Sequence, residues 1–287
     1  MIKKTLIFFF IFLLAYQVYV IAENEDIFPL NKFISRIIDN PQKDKKNTEK
    51  IVNLPISSFD RLENKTELNC PSPEDSIVII AFGQSNSANN ASHTYPKNSN
   101  NILNFYKGKC FIAKDPLLGA TGNRGNIWIP VSTKINKGQK KVVLITFGIG
   151  GTKVEDWLTI YYDYYKENII SFKKLYPYPD FAIWFQGESD RITIPKEFQK
   201  SLNTWILTLK KDLPTTKIII TGTTYCAGQD SDIIKNIQYL TSKKFNIGFV
   251  DTDQFYSPRD RSDGCHLSPS GVEKISEIFA DTINKNL

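Results

Sequence analysis

The stretch Ile77–Phe82, with the sequence IVIIAF, is a continuous apolar run that ends at the polar segment GQSNS, residues 83–87. A short apolar run that is rich in β-branched residues and bounded by turn residues is typical of a strand buried on both faces. Four more runs of this kind follow along the chain, at Val142–Phe147, Phe181–Phe185, Lys217–Thr221 and Ile247–Asp251. The five runs predict the strands of a parallel sheet.

Longer segments with helical spacing follow these runs. We predict helices within Val154–Tyr176, Ile194–Leu213, Ser231–Ser242 and Ser270–Asn284. In the last segment the apolar residues recur every three or four positions, so they share one face of the helix. Strands that alternate with helices indicate right-handed β-α-β units, and the sequence therefore predicts an α/β fold, a three-layer sandwich.

Composition excludes several classes of protein. The chain has 287 residues, of which 41% are hydrophobic and 23% charged, values that exclude collagen, a coiled coil and a wholly disordered chain. The formal net charge is +6, but basic residues are scattered and often stand beside acids, as in Lys43-Asp44-Lys45. We therefore expect no nucleic-acid partner.

The first 22 residues have the features of a secretory signal. Two lysines precede an apolar run, and Val20-Ile21-Ala22 supplies small residues at the positions that signal cleavage requires. We predict an exported protein, secreted or periplasmic, that is cleaved after Ala22 and has no stable membrane insertion thereafter. The alternative is an uncleaved anchor, because the apolar run approaches the roughly 18 residues that begin to span a bilayer.

Residues 23–70 differ in composition from the rest, since charged and polar segments such as PQKDKKNTEK dominate them. We interpret this stretch as a polar leader or linker and residues 71–287 as the folded domain. Four cysteines lie in the predicted mature chain: Cys70, Cys110, Cys226 and Cys265. Export favours disulfides, with three possible pairings, although some of these residues could instead be buried free thiols. Their spacing lacks the close pairs of a zinc site, so we predict no metal.

Polar, glycine-containing segments follow the predicted strands, where function collects in such sheets. These segments are Gly83–Ser87, Gly148–Thr152, Gln186–Asp190 and, beyond the last strand, Asp263–Ser268. A serine hydroxyl needs a base within hydrogen-bond reach to act as a nucleophile. The chain has only two histidines, and His93, unlike His266, has no acidic neighbour in a fixed loop, so we predict a structural or surface role for it.

Ser85, His266 and Asp263 are thus the candidate catalytic residues. Asp263 stands three residues before His266 on a glycine-containing loop, a spacing that lets its carboxylate orient the imidazole. The backbone N–H groups of Ser85 and Gly150 and the side-chain amide of Gln186 are candidate oxyanion donors, and losing one such donor typically costs about 100- to 1000-fold in rate. The set needs no cofactor. Each residue also has a purely structural interpretation, such as a helix cap or a turn, and only their joint occurrence favours catalysis.

Together the four segments resemble the SGNH/GDSL hydrolase superfamily, and within it the carbohydrate acetylesterases grouped with sialate O-acetylesterases. The matching blocks occur in the family's order: IVIIAFGQSNSANNA around the nucleophile, FGIGGTKVEDW, WFQGESD and DGCHLSPSG around the histidine. The resemblance covers roughly residues 71–287. It implies a flavodoxin-like parallel sheet in an α/β/α sandwich.

The resemblance assigns the same roles to Ser85, His266 and Asp263, and it places Ser85, Gly150 and Gln186 in the oxyanion hole. The remaining block residues are expected to support the site or line the substrate pocket: Gln84, Asn86, Gly151, Glu188 and Asp190. Cys265 lies inside the histidine block. A bridge from it to Cys226 would hold that loop rigid, so we prefer the pairings Cys226–Cys265 and Cys70–Cys110.

The sequence therefore predicts an exported serine esterase that removes O-acetyl groups from an acetylated carbohydrate through an acetyl-serine intermediate. Two alternatives stay open. The first is another acyl-ester hydrolase on the same scaffold, such as a peptidoglycan O-acetylesterase, a lipase or a thioesterase, because fold does not fix substrate. The second is a non-catalytic carbohydrate-binding protein.

Overall fold

The computed structural model describes residues 61–95, 99–135, 138–254, 257 and 259–287. The strands are β1 (Glu67–Leu68), β2 (Ser76–Gly83), β3 (Ile102–Tyr106), β4 (Lys109–Ile112), β5 (Lys141–Thr146), β6 (Phe181–Phe185), β7 (Lys217–Gly222) and β8 (Gly248–Asp251). The helices are α1 (Trp128–Lys134), α2 (Val154–Leu158), α3 (Tyr162–Lys173), α4 (Pro195–Asp212), α5 (Asp232–Phe245) and α6 (Pro269–Asn284). Short 3₁₀ turns span Ser85–Ser87 and Asp190–Ile192.

One sheet joins all eight strands in the order β1-β4-β3-β5-β2-β6-β7-β8. From β3 to β8 the neighbouring strands are parallel, while β4 and β1 extend the β3 edge in antiparallel fashion. The five strands predicted from sequence stand in the order β5-β2-β6-β7-β8. This is the flavodoxin-like order 2-1-3-4-5, so the predicted fold class is confirmed.

Helices cover both faces of the sheet because alternate residues of each buried strand point to opposite sides. On one face Ile79 and Ala81 of β2 belong to the same core cluster as Trp128 of α1 and Phe279 of α6. On the other face Phe82 packs against the aromatic side chains of α2, α3 and α4: Trp157, Tyr165 and Trp205. Helix α5 packs beside α4 and β7. The result is the three-layer sandwich.

Several elements differ from the prediction. The predicted helix Val154–Tyr176 is two helices, α2 and α3, and the β3–β4 hairpin and α1 were not predicted. Strand β1 and Cys70 lie inside the stretch 23–70 that the composition indicated as a leader, and there β1 pairs with β4. The predicted signal, residues 1–22, lies outside the described residues. Within the part of the chain that the structure describes, no helix combines the length and the apolar character needed to cross a membrane.

Candidate active site

The turn that carries Ser85 is set by a close approach between β2 and β6. Gly83, the last residue of β2, has a φ of +123°, and a Cβ there would overlap the carbonyl oxygen of Phe185 and lie 2.7 Å from its carbonyl carbon. Only glycine therefore fits without displacing β6. The next residue, Gln84, donates its N–H to the same Phe185 oxygen at 3.0 Å. The chain then turns sharply into the 3₁₀ turn that begins at Ser85.

We call Ser85–Ser87 the nucleophile turn after the predicted role of Ser85, and two hydrogen bonds from side chains outside the turn hold it in place. The indole Nε1 of Trp128 donates to the carbonyl of Ser87 at 2.8 Å, and the amide of Asn90 donates to the carbonyl of Ser85 at 3.2 Å. Trp128 is fully buried in the core, whereas Ser85 retains 8% exposure. The turn is thus held from the core side, and Ser85 keeps a small exposed fraction.

Asp263 and His266 form a hydrogen-bonded pair on the loop before α6. Oδ2 of Asp263 lies 2.7 Å from Nδ1 of His266, and its Oδ1 accepts the backbone N–H of His266 at 2.7 Å and of Cys265 at 3.0 Å. Partial burial acts to raise the pKa of Asp263, but these bonds from His266 and Cys265 outweigh it and lower the pKa to about 2. The carboxylate is therefore ionised at neutral pH beside the imidazole.

Contacts across the sheet edge join the loop Asp263–Ser268, which we call the histidine loop, to the nucleophile turn. The amide of Asn86 donates to the carbonyl of Cys265 at 3.3 Å and also to the carboxylate of Glu188. The backbone N–H of Ser92 donates to the carbonyl of Leu267 at 2.9 Å. The structure contains both preferred disulfides, Cys226–Cys265 at this loop and Cys70–Cys110 between the β1 edge and β4.

The two other predicted oxyanion donors have partners within the protein. A Cβ on Gly150 would lie 3.6 Å from the Cβ of Ser85, so this glycine borders Ser85. Its N–H donates to Thr121 Oγ1 at 2.8 Å. The amide Nε2 of Gln186 donates to Gln84 Oε1 at 3.0 Å, to Asp190 Oδ2 at 2.7 Å and to a backbone carbonyl. Gln186 is thus held firmly beneath the nucleophile turn.

The two acids of the Gln-Gly-Glu-x-Asp block are buried. Burial raises the pKa of Glu188 to about 7, although the charge of Arg261 and the hydrogen bond from Asn86 act to lower it. Burial also raises the pKa of Asp190 to about 6, against the hydrogen bonds from Gln186 and the backbone of Val154. Neither acid is open to solvent, and each accepts a hydrogen bond from a neighbouring loop, Glu188 from Asn86 and Asp190 from the N–H of Val154. Gly151 is exposed, with open space where a Cβ would stand.

Three residues of this region were missed from the sequence. They are Asn90 and Thr121, which bond to Ser85 and Gly150, and Arg261, whose Nη1 donates to the carbonyl of Cys265 at 2.8 Å. Asn90 lies inside the quoted nucleophile block and Arg261 two positions before Asp263, so proximity to a block was their only signal, and Thr121 had none. Of the aromatic residues near the site, Trp128 and Trp157 are core residues. Over the described ranges, no group of three or more His, Cys, Asp or Glu side chains is arranged to hold a metal ion.

Both the sequence and the fold of this chain are similar to those of known proteins. Residues 75–285 match the profile of the family described as "carbohydrate esterase, sialic acid-specific acetylesterase". A search among curated proteins finds no match.

Solved structures with similar folds share little sequence. An Arabidopsis thaliana protein is 18% identical with a TM-score of 0.61, over 75% of this chain and 99% of its own. A GDSL-like lipase from Parabacteroides merdae is 16% identical with a TM-score of 0.52, over 77% and 100%. NanS is 14% identical with a TM-score of 0.51, over 75% and 98%. At these identities the similarity establishes the fold.

Proposed function

Because the chain belongs to the sialic acid-specific acetylesterase family of carbohydrate esterases, we propose that it is an exported serine esterase that removes O-acetyl groups through an acetyl-Ser85 intermediate. Membership makes it a carboxylic ester hydrolase of acetylated carbohydrates. An O-acetylated sialic acid is the substrate we propose. Export is supported by the basic and apolar start of the chain and by two disulfides, which persist in oxidising compartments.

One observation carries the assignment of residues. The Asp263–His266 pair, at 2.7 Å, lies on a loop that is hydrogen-bonded through Asn86 to the turn of Ser85. With Nδ1 held by the carboxylate, the opposite ring nitrogen, Nε2, is the one available to exchange a proton with Ser85.

The reaction follows from these roles. Ser85 Oγ attacks the acetyl carbonyl as His266 takes its proton, and a tetrahedral intermediate with a negative oxygen forms. The backbone N–H groups of Ser85 and Gly150 are the proposed donors to that oxygen, the second being shared with Thr121. Gln186 is the third proposed donor, and it would give up one of its present acceptors to act so.

The first half ends when the tetrahedral intermediate collapses. His266 returns the proton to the departing sugar hydroxyl, which leaves the acetyl group on Ser85. In the second half, a water molecule that His266 deprotonates attacks the acetyl ester, and His266 then returns this proton to Ser85 Oγ as acetate is released. Asp263 stabilises the imidazolium in both halves.

The test is acetate release by the purified protein and its Ser85→Ala variant. The substrates are a general acetyl ester, an O-acetylated sialic acid and acetylated xylan. Ser87→Ala is the matched control, since Ser87 belongs to the same turn and its buried Oγ has no hydrogen-bond partner among the described residues. We expect turnover to vanish in Ser85→Ala and to persist in Ser87→Ala, with the sialic acid preferred. Equal turnover by wild type and Ser85→Ala would refute the proposal.

A further inference from the structure

Arg261 is a buried cation that precedes the first residue of the histidine loop, Asp263, by two positions. Only 2% of its surface is exposed, although a guanidinium carries a permanent charge that is costly to remove from water. Its Nη1 donates to the carbonyl of Cys265 at 2.8 Å, and its backbone bridges to Leu267. The side chain and the backbone of Arg261 therefore bracket His266.

Two buried acids face this charge from different loops. Arg261 acts on the carboxylate of Glu188, which follows β6, and on that of Asp253, which follows β8. Both acids are almost completely buried. Since an uncompensated buried charge is strongly destabilising, the guanidinium lowers the cost of ionising either acid, and each acid, when ionised, offsets part of the cost of burying the guanidinium.

Each acid in turn holds another part of the site. Glu188 accepts the amide of Asn86, which belongs to the nucleophile turn. Asp253 accepts the N–H of Thr224 at 2.8 Å, its hydroxyl at 2.6 Å and the N–H of Tyr225 at 3.1 Å, directly before Cys226. The guanidinium thus bonds to the histidine loop and acts on acids that follow β6 and β8, and these acids in turn bond to the nucleophile turn and to the loop after β7.

The carbonyl of Cys265 is where this arrangement acts on His266. It accepts both Arg261 Nη1 and Asn86 Nδ2, and it belongs to the residue next to His266. We propose that Arg261 is a positioning residue that fixes the distance between His266 and Ser85 by holding the Cys265 carbonyl. The proposal rests on the proposed roles of Ser85 and His266. A lysine at this position would keep the charge but lose the planar fork that allows several directed bonds.

The kinetic test uses Arg261→Met, Arg261→Lys and a matched control. Lys166→Met removes another cation, one that pairs with Asp212 at 2.9 Å between α3 and α4, away from the site. Below the melting temperature of each variant, we expect kcat to fall at least tenfold in Arg261→Met, with KM within threefold of wild type. Arg261→Lys should recover part of that loss, and Lys166→Met should stay within twofold.

A spectroscopic test reports on His266 without requiring activity. The chain has two histidines, so His93 is an internal control in the same proton–nitrogen spectrum. We expect the Nδ1 proton of His266, held by Asp263, to shift or broaden in Arg261→Met while the signals of His93 stay unchanged.

The outcomes separate the two proposals. A folded Arg261→Met with wild-type kcat, or one with unchanged His266 signals, would overturn the positioning role. If that variant does not fold, Arg261→Lys decides by the same two criteria. If Ser85→Ala is as active as wild type, the proposed function fails, and the spectrum of His266 still tests whether Arg261 orders that loop.

Discussion

The carboxylate of Asp263 is bound to His266 twice, once through the imidazole Nδ1 at 2.7 Å and once through the backbone N–H at 2.7 Å. The backbone N–H donates to the other carboxylate oxygen, Oδ1, which also accepts the N–H of Cys265. The loop therefore holds the carboxylate in place even when the ring is neutral. The backbone of His266 thus fixes the carboxylate of Asp263, and this carboxylate in turn orients the imidazole ring of His266.

The first prediction concerns Asp263→Asn. An amide can still accept the backbone N–H groups, but its NH₂ faces Nδ1 and favours the imidazole tautomer that cannot take a proton from Ser85. We expect kcat to fall by roughly 1000-fold with little change in the fold. Steady-state acetate release and circular dichroism measure the two effects, and Asp281→Asn, an exposed acid on α6, is the control. A loss below threefold would show that Asp263 does not orient the base.

The second prediction concerns Gly83→Ala. The new methyl group would overlap the Phe185 carbonyl at a φ of +123°, so either β6 must move or the turn must change. We expect the free energy of unfolding to fall by about 3 kcal/mol or more.

Gly108→Ala is the matched control for this change. Gly108 has a φ of +83° and nothing within 4 Å of a Cβ, so only the backbone strain remains and the cost should be about 1 kcal/mol. Urea unfolding of both variants measures the difference. Equal costs would mean that the close approach of β2 and β6 does not constrain the turn.

The central strands could be predicted from sequence because they are buried on both faces. Every residue of β2 and β6 is buried, and such strands appear as continuous apolar runs. Strand β3 was not predicted because the polar residue Asn104 interrupts its apolar run. The side-chain amide of Asn104 is buried, and it forms hydrogen bonds with loop groups such as the N–H and the carbonyl of Leu118. Helix α1 has only seven residues and contains Pro130, so no helical period is visible.

The candidate site likewise has parts that the sequence pattern predicts and parts that it does not. The segments around Ser85 and His266 could be placed together because parallel strands deliver their carboxyl ends to one edge. Partners such as Thr121 and Arg261 could not be identified, since hydrogen bonds between loops depend on loop conformation and not on the period of the chain. Thr121 meets Gly150 from a loop that precedes it by 29 residues.

The third prediction compares the two disulfides. They enclose chain segments of nearly equal length, with separations of 40 residues for Cys70–Cys110 and 39 for Cys226–Cys265. Since the restriction of the unfolded chain depends on that length, replacing either pair by serines should lower the free energy of unfolding by a similar amount, about 2–4 kcal/mol.

Their effects on activity should differ. Cys226–Cys265 tethers the histidine loop, so the Cys226→Ser/Cys265→Ser variant should lose at least tenfold in kcat under conditions where it is folded. Cys70→Ser/Cys110→Ser should retain kcat within twofold. Acetate release and urea unfolding of both double variants measure the two quantities together. Equal kcat values in the two variants would mean that the tether does not preorganise His266.

The fourth prediction concerns the pH dependence of stability through Glu188. Burial raises its pKa from 4.5 to about 7 in the folded protein, so the folded state binds a proton more tightly than the unfolded chain between these values. The contribution of this group to stability is therefore fully present below pH 4.5 and is lost as the pH rises through about 7. Glu188→Gln is close to the protonated form in shape. Its carbonyl can accept Asn86, and its NH₂ replaces Oε2, which has no hydrogen-bond partner among the described residues.

Urea unfolding of wild type and Glu188→Gln at pH 5 and pH 8 tests this assignment. Between these values we expect the stability of wild type to fall relative to the variant by about 1–3 kcal/mol, because only wild type must ionise a buried carboxyl. Burial also raises the pKa of Asp190, which is present in both proteins, and of Asp253, whose negative charge acts on Glu188 and therefore contributes to the expected difference. Parallel pH profiles would mean that Glu188 is already ionised at pH 5. The charge of Arg261 would then outweigh the burial of the carboxyl.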